Sequence, residues 1–531
     1  MMTGLVEFFR PVMKREYLVV LAIGLVFFVV MTKLKVTRID EFHEDTAVMF
    51  QTTENIAARG APLSQVFQSN QLILEGILTE PAARIAVDPL SPPPVFEENL
   101  LQFHKYLILY VLAAFATFVP ASTVLMAAYV LSFAGCILLA YSLLRIKALP
   151  IVAAGLFCLL LVSHPVWSAG LLSGQFYPDR LFILAGFIFM NVVSRVKPSK
   201  GLLIAAAVLC ALINEQSAFM AGVFVLAYTA VYWKKVSEER YLRLGLGAAL
   251  FVYGTIVVNF FLVSNKHEYS SFLPHNLGQI IGAFQNPVFA HNAAWLILIN
   301  LPFLLIALFE WRAAVVAAIM MLPNVFGNIG GAEKTGWSTH YHSYYLPALF
   351  WAALLGYEAA YRKAPIPKWR AAFYIATAAL VLVLNSVDPD SVASPKAGLS
   401  NISHNFLFSF KEQAEAYLGS GRPRFDLAAD QIRRIVPEKS VVTSVESGMP
   451  ILYHNRTMWF YPIGVDRADY AVINGANGAE GVTFGGAINF LGPEETAKVN
   501  QIVLDRMKKD GYDFKHATFI PLFGLAVVKR H

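Results

Sequence analysis

The stretch DEFHEDTAVMF, residues 40–50, packs four carboxylates and an imidazole into six positions: Asp40, Glu41, His43, Glu44 and Asp45. Side chains of these types move protons, a carboxylate by taking one from a reacting hydroxyl. Four other stretches carry groups that complement them. SHPVWSAGLLSGQFYPDR holds His164, Gln175, Tyr177, Asp179 and Arg180, and INEQSAF holds Asn214, Glu215 and Gln216. A third stretch supplies His267, Glu268 and His275. The last, NVFGNIGGAEKTGWSTHYHSYYLP, supplies Glu333, Lys334, Trp337, His340, His342, Tyr344 and Tyr345. His104 and Lys105 follow the acidic stretch at a distance. His340 and His342, two residues apart, do not share a helix face, so their spacing alone does not demand a metal.

The elements that must position these groups are apolar. Of the 531 residues, 56% are hydrophobic and only 15% charged, whereas a globular domain carries about 25% charge. Repeated apolar runs long enough to cross a bilayer identify a polytopic α-helical membrane protein. About eleven spans are expected, near 17–33, 122–144, 149–166, 179–196, 200–213, 217–233, 243–263, 291–309, 312–325, 343–361 and 369–386. The first lacks a small-residue cleavage site and reads as a retained helix. The net charge of +6 comes mainly from short loops between spans, which argues for orientation by basic residues and against nucleic-acid binding. Cys136, Cys158 and Cys210 lie in apolar segments and give neither a disulfide framework nor a zinc site.

Basic residues concentrate in alternate connections: Arg10, Lys14 and Arg15; Arg145 and Lys147; Arg195, Lys197 and Lys200; Lys234, Lys235, Arg240 and Arg243; Arg312; then Arg362, Lys363, Lys368 and Arg370. These are the expected cytoplasmic loops, with the N-terminus inside. The alternation holds only if the short run 106–119 lies along the outer interface instead of crossing. All five polar stretches then emerge on the extracytoplasmic side, and ionisable groups at a membrane boundary mark a functional site by default. The interfacial-anchor reading competes for each of them singly; Tyr344 and Tyr345 would fit an aromatic belt. Within the acidic stretch, DTAVMFQTTENIAARGAP has helical spacing from Asp45, with Ala47, Phe50, Glu54 and Ala57 on one face and Gly60 as its stop. Asp45 falls at or near the helix N-cap.

The expected organisation is a transmembrane module, 1–386, with an extracytoplasmic acidic loop at 34–105 and an interfacial helix at 106–119. An extracytoplasmic α/β domain, 387–531, follows. In it AADQIRRIVP and EETAKVNQIVLDRMKK have helical periodicity, while SVVTSV, TMWFYPI, ADYAVIN and FGLAVVKR read as strands. No Gly-rich phosphate loop occurs there.

A first span, then an outer loop opening on an acidic motif and an amphipathic helix ending in Gly60, resembles the C-type (GT-C) fold of membrane glycosyltransferases. Asp45 through Gly60 matches the spacing of that motif, with Thr46 where the family often has Glu. The chain is also similar to a bacterial family of uncharacterised membrane proteins related to this fold, through 103–115, 171–187, 214–228, 340–353 and 436–462. It departs at Asn214-Glu215-Gln216, where those proteins tend to have Lys-Glu-Asp. The resemblance implies a plasma (bacterial inner) membrane enzyme. Such an enzyme moves a sugar from a polyprenyl-phosphate donor to an extracytoplasmic glycan, lipid or protein acceptor. In that reading Asp45 is the general base, with Asp40, Glu41 or Glu44 as second carboxylate. Arg180, Lys105, Lys334, His340 and His342 would hold phosphate; Trp337, Tyr344 and Tyr345 would stack on sugar or lipid. His104, Tyr177, Asp179 and Glu215 complete the expected binding set. A divalent metal ion held by Asp45 and histidines is allowed, and no spacing demands it. Two other classes remain: a lipid or solute transporter, and a non-catalytic membrane scaffold.

Overall fold

The computed structural model describes residues 15–37, 44–67, 98–167, 176–236, 239–262, 276–326, 341–364, 367–386, 424–454, 457–478, 481–485, 493–521 and 524–531. Each of the eleven apolar segments contains a helix. In chain order these are α1 (Arg15–Thr37), α4 (Ala121–Ile146), α5 (Ile151–Val162), α6 (Phe182–Val193), α7 (Lys200–Ile213), α8 (Glu215–Val231), α9 (Arg240–Ile256), α11 (Pro287–Ala307), α12 (Trp311–Phe326), α13 (Leu346–Arg362) and α14 (Pro367–Ser386). Between them lie α2 (Glu44–Arg59), α3 (Ile108–Ala116) and α10 (Leu277–Gln285). Among the described residues, five helical stretches are long and apolar enough to cross a membrane: Glu16–Val36, Ala121–Ile146, Arg240–Phe261, Leu296–Phe326 and Pro367–Leu384. The fourth folds back on itself at 308–310. Along it Asn300 bonds Tyr345, Phe309 meets Lys363 and Asn324 bonds Tyr341, so its two arms run antiparallel against α13.

The basic connections gather at one end of this bundle. There they are stitched to each other. Arg145 pairs with Glu16, Lys147 with Glu358, and Glu358 with Arg362. Lys363 reaches the Phe309 carbonyl, the Tyr232 hydroxyl bonds Glu310, and Arg243 caps the carbonyls of Val193 and Arg195. The loops expected to share one face therefore do gather there. The interior is packed through small residues at close helix crossings, as in membrane bundles generally. A Cβ on Gly356 of α13 would lie 2.1 Å from the Ile306 carbonyl, and one on Gly222 of α8 would lie 2.6 Å from the Phe251 amide.

The opposite end carries α2, α3 and the C-terminal domain. The helix α2 starts at Glu44, so Asp45 lies inside its first turn, where free N–H groups and the dipole favour a carboxylate. It stops at Gly60, which takes φ +71° and returns its N–H to the Ile56 carbonyl at 2.8 Å. Ala47 and Phe50 are buried on its inner face. The short helix α3, with Tyr110, Val111 and Phe115 exposed, occupies the run expected at the interface.

The C-terminal domain is a small mixed sheet flanked by helices. Its elements are α15 (Arg424–Ile435), β3 (Val441–Ser444), α16 (Met449–Leu452), β4 (Thr457–Phe460), β5 (Tyr470–Gly478), β6 (Gly481–Gly485), α17 (Pro493–Lys509), β7 (Thr518–Ile520) and β8 (Leu525–Lys529). Two earlier strand fragments, β1 (Leu63–Ser64) and β2 (Glu98–Asn99), pair after α2. Strand order is β4-β3-β5-β8-β7, with β6 on β5; β3 runs parallel to β4 and β5, and the remaining pairs are antiparallel. Val499, Val503 and Met507, at four-residue spacing, bury one face of α17. The domain docks on α2: the Tyr453 ring packs tilted against Phe50 with centroids 5.0 Å apart, His454 pairs with Glu54 at 2.7 Å, and the Tyr453 hydroxyl bonds Ser122 at 2.9 Å.

Candidate functional site

Four turns meet at the end that bears α2. Asp179, in the 3₁₀ turn Pro178–Leu181 before α6, is buried, and its carboxylate accepts from the Tyr106 hydroxyl at 3.1 Å, from Asn214 Nδ2 and from the Tyr344 hydroxyl. Asn214 also donates to Tyr344 at 2.8 Å, while its Oδ1 caps α8 by accepting from the Ser217 amide at 2.7 Å. With three donors on its two oxygens, Asp179 pins the turns before α3, α6, α8 and α13 together. Buried polar groups are tolerated when satisfied in this way.

One residue along, Glu215 opens α8 and is fully buried. Its Oε1 meets His104 Nδ1 at 3.1 Å and its Oε2 accepts from the Lys105 amide at 2.9 Å. Lys105 thus contributes its backbone to this contact. Burial opposes charge on His104, yet the bond to Glu215 and the fields of Glu215, Asp179 and Asp45 raise its pKa above the usual histidine value. That places Asp45 within electrostatic reach of His104. The next residue, Thr46, accepts the Phe176 amide at 3.0 Å and ties α2 to the turn bearing Tyr177, Asp179 and Arg180.

Two buried cations back this cluster. The Arg180 guanidinium bonds the Tyr129 hydroxyl, and the Arg180 carbonyl accepts from Ser132 at 2.9 Å. Lys35, near the end of α1, lies 4.3 Å from the centroid of the same Tyr129 ring, with Arg180 at 5.7 Å on that ring as well. Both cations are at most 1% exposed. A buried cation needs compensation by anions or acceptors, and Asp179 is near enough to act on Tyr129. The site therefore sets Lys35, Arg180 and His104 against Asp45, Asp179 and Glu215.

A second chain runs beside the first. The Val166 amide donates to His164 Nδ1 at 3.2 Å, which leaves Nε2–H to donate to Asn300 Oδ1 at 3.0 Å. Asn300 Nδ2 donates to the Tyr345 hydroxyl at 3.0 Å, and Tyr345 is left to donate to His342 Nδ1 at 3.1 Å. The direction of every bond follows from the first, and His342 is held with Nδ1 as an acceptor. The turn Tyr341–Tyr344 thus sends Tyr344 into the Asp179 group and ties His342 to Tyr345.

No protein-family model matches the chain, and no curated protein matches it significantly. The geometry stands by itself. Of the residues singled out in the sequence, Asp45, His104, Asp179, Arg180, Glu215 and Tyr344 come together, with Lys105 and Tyr177 on the same turns and His342 and Tyr345 in the adjoining chain. Asp40, Glu41, Lys334, Trp337 and His340 lie outside the described residues, as does the side chain of Glu44. Among the described residues no group of three His, Cys, Asp or Glu side chains is arranged to hold a metal ion. Sequence reading missed Lys35, Tyr106 and Tyr129. For Lys35 a signal existed: it follows the first span on the side that the basic loops avoid.

Proposed function

We propose that this chain is a multi-pass membrane glycosyltransferase that moves a sugar from a polyprenyl-phosphate donor to an extracytoplasmic acceptor. The basic end of the bundle lies in the cytoplasm and the α2 end faces outward, with all eleven helices crossing the bilayer. The observation that carries the reading is the gathering of Asp45, the turns that bear His104, Asp179 and Glu215, and the buried Lys35 and Arg180 at one end of an apolar bundle. A lipid-borne substrate reaches that depth laterally from the membrane.

In this reading the acceptor hydroxyl attacks the anomeric carbon of the donor. Asp45 takes the hydroxyl proton, the bond from that carbon to the phosphate oxygen breaks, and the phosphate leaves with the electron pair. General-base assistance is worth about 10²–10⁴-fold. Asp45 stands at the spacing of the acidic motif, in the first turn of α2, whereas Asp179 and Glu215 hold turns of the cluster together. Lys35 and Arg180, with His104, hold the leaving phosphate, as charge-assisted donors do. Asp40, Glu41 or Glu44 supplies the second carboxylate, Lys334 and His340 add phosphate contacts, and Trp337 packs on sugar or carrier; Tyr345, buried with its hydroxyl between Asn300 and His342, is not available for stacking.

The test is transfer by purified protein in nanodiscs supplied with polyprenyl-phosphate sugars and a panel of acceptors. Asp45→Asn is expected to reduce turnover at least about 10²-fold while the thermal midpoint and monodispersity stay as in the parent. Full turnover by that variant removes Asp45 as the base. Movement of lipid or solute across vesicles with no glycosyl product overturns the enzyme reading in favour of a translocase.

A further inference from the structure

The basic end of the bundle carries a surface that sugar transfer does not use. There, three exposed aromatic rings are overlaid by basic side chains. The Arg312 guanidinium lies 5.1 Å from the Trp311 ring centroid, the Lys363 ammonium 5.9 Å from Phe309, and the Arg240 guanidinium 3.9 Å from Trp233. Trp311 is 59% exposed, Phe309 50% and Trp233 45%. The pairs come from different connections, those joining α8 to α9 and α11 to α12, with Lys363 closing α13. They form one rim, because the Tyr232 hydroxyl bonds Glu310 at 2.9 Å across the first two.

Orientation by basic loops needs positive charge and no particular neighbour. An aromatic belt needs rings and no cation over each. The combination does more: the ring anchors at headgroup depth while the cation beside it meets a phosphate. Beside Arg312 and Lys363, the carboxylate of Glu310 is engaged by Tyr232 and that of Glu358 by Lys147 and Arg362. With Lys234, Lys235, Arg240, Arg312 and Lys363 against Glu238, Glu239 and Glu310 in these connections, the rim presents excess positive charge next to exposed apolar side chains of α11 and α12.

We propose that this rim binds anionic phospholipid headgroups, with Arg312 and Lys363 on the phosphate and Trp311 and Phe309 at the acyl boundary. The binding depends on the chain crossing a bilayer and not on the reaction assigned to the other end.

Mass spectrometry of the intact protein in detergent tests it, after equilibration with equal phosphatidylglycerol and phosphatidylcholine of the same acyl chains. Retained phosphatidylglycerol should exceed phosphatidylcholine, by about fivefold for each basic side chain engaged, and the preference should fall as salt rises. Arg312→Gln with Lys363→Gln should bring the ratio close to unity, and Trp311→Leu should weaken retention of both lipids. Arg240→Gln, on the neighbouring pair, gives a second reading if the double variant does not fold. Equal retention by the parent protein, or a preference unchanged in the variants, overturns the proposal. So does displacement of phosphatidylglycerol by soluble polyglutamate, which would mark a site for an acidic protein.

Discussion

His104 and Glu215 form the pair in the cluster whose chemistry is open to titration. His104 is 31% exposed at its side chain and Glu215 is not exposed, so water reaches the imidazole from one side only. Because its pKa is raised in the folded protein, the pair stabilises the fold fully below the unfolded histidine value, about 6.5. That contribution is lost as pH rises through the raised folded value. Thermal midpoints measured from pH 5.5 to 9 should therefore decline across this window in the parent. In Glu215→Gln, which retains an acceptor for the Lys105 amide, the decline should be absent, and an unchanged slope would show that the pair is electrostatically idle. Tyr344→Phe acts differently: it removes a donor to the buried Asp179 carboxylate, at a cost of about 1.5–3 kcal/mol, with no change in the pH slope.

At the scale of elements, the position of Glu215 depends on how α8 packs against α9. A Cβ on Gly254 would lie 2.8 Å from the Glu215 carbonyl and 3.1 Å from the Phe219 amide. Backbone atoms cannot swing aside, so Gly254→Ala must push the start of α8 away, at a cost of about 1–3 kcal/mol. The shift should weaken the His104 contact and lower turnover. Gly245→Ala, on the same helix with nothing within 4 Å of the added carbon, is the control and should leave turnover unchanged. Equal effects of the two substitutions would sink the account. Glycine in an apolar run shows that a helix passes but not which neighbour it meets, so this contact was invisible in sequence. The helices themselves were legible because apolar length survives without tertiary context, and Gly60 was read correctly as a stop. In the tail, the strands with β-branched runs were found, whereas β6 (GVTFG) and β7 (TFI) were missed as too short or too glycine-rich. Tyr129 sits on an apolar helix, where a lone polar residue reads as filler until its partner, Arg180, comes from a distant turn.

The whole molecule couples the domain to the helix that bears the proposed base. Asp45 stands in the first turn of α2, and Phe50 and Glu54 farther along that helix face Tyr453 and His454. The Tyr453 phenol, pushed up to about 12 chiefly by burial, stays protonated and donates to Ser122 at the start of α4. The Gln65 side chain accepts the Met458 amide at 2.9 Å, a second tie just beyond Gly60. The Glu54–His454 pair is part-exposed, so it contributes only about 0.2–1 kcal/mol; the ring contact and the buried phenol hold the interface. Tyr453→Ala should consequently leave the sheet intact and loosen α2, because local opening follows lost burial. Amide exchange of 48–55 should accelerate while that of Val499–Met507 in α17 stays protected, and turnover should fall although no atom of the cluster has changed. His454→Ala should do little of either. If exchange in α2 is the same in Tyr453→Ala and the parent protein, the domain is a passenger and the rigidity of α2 comes from α3 and α4 alone.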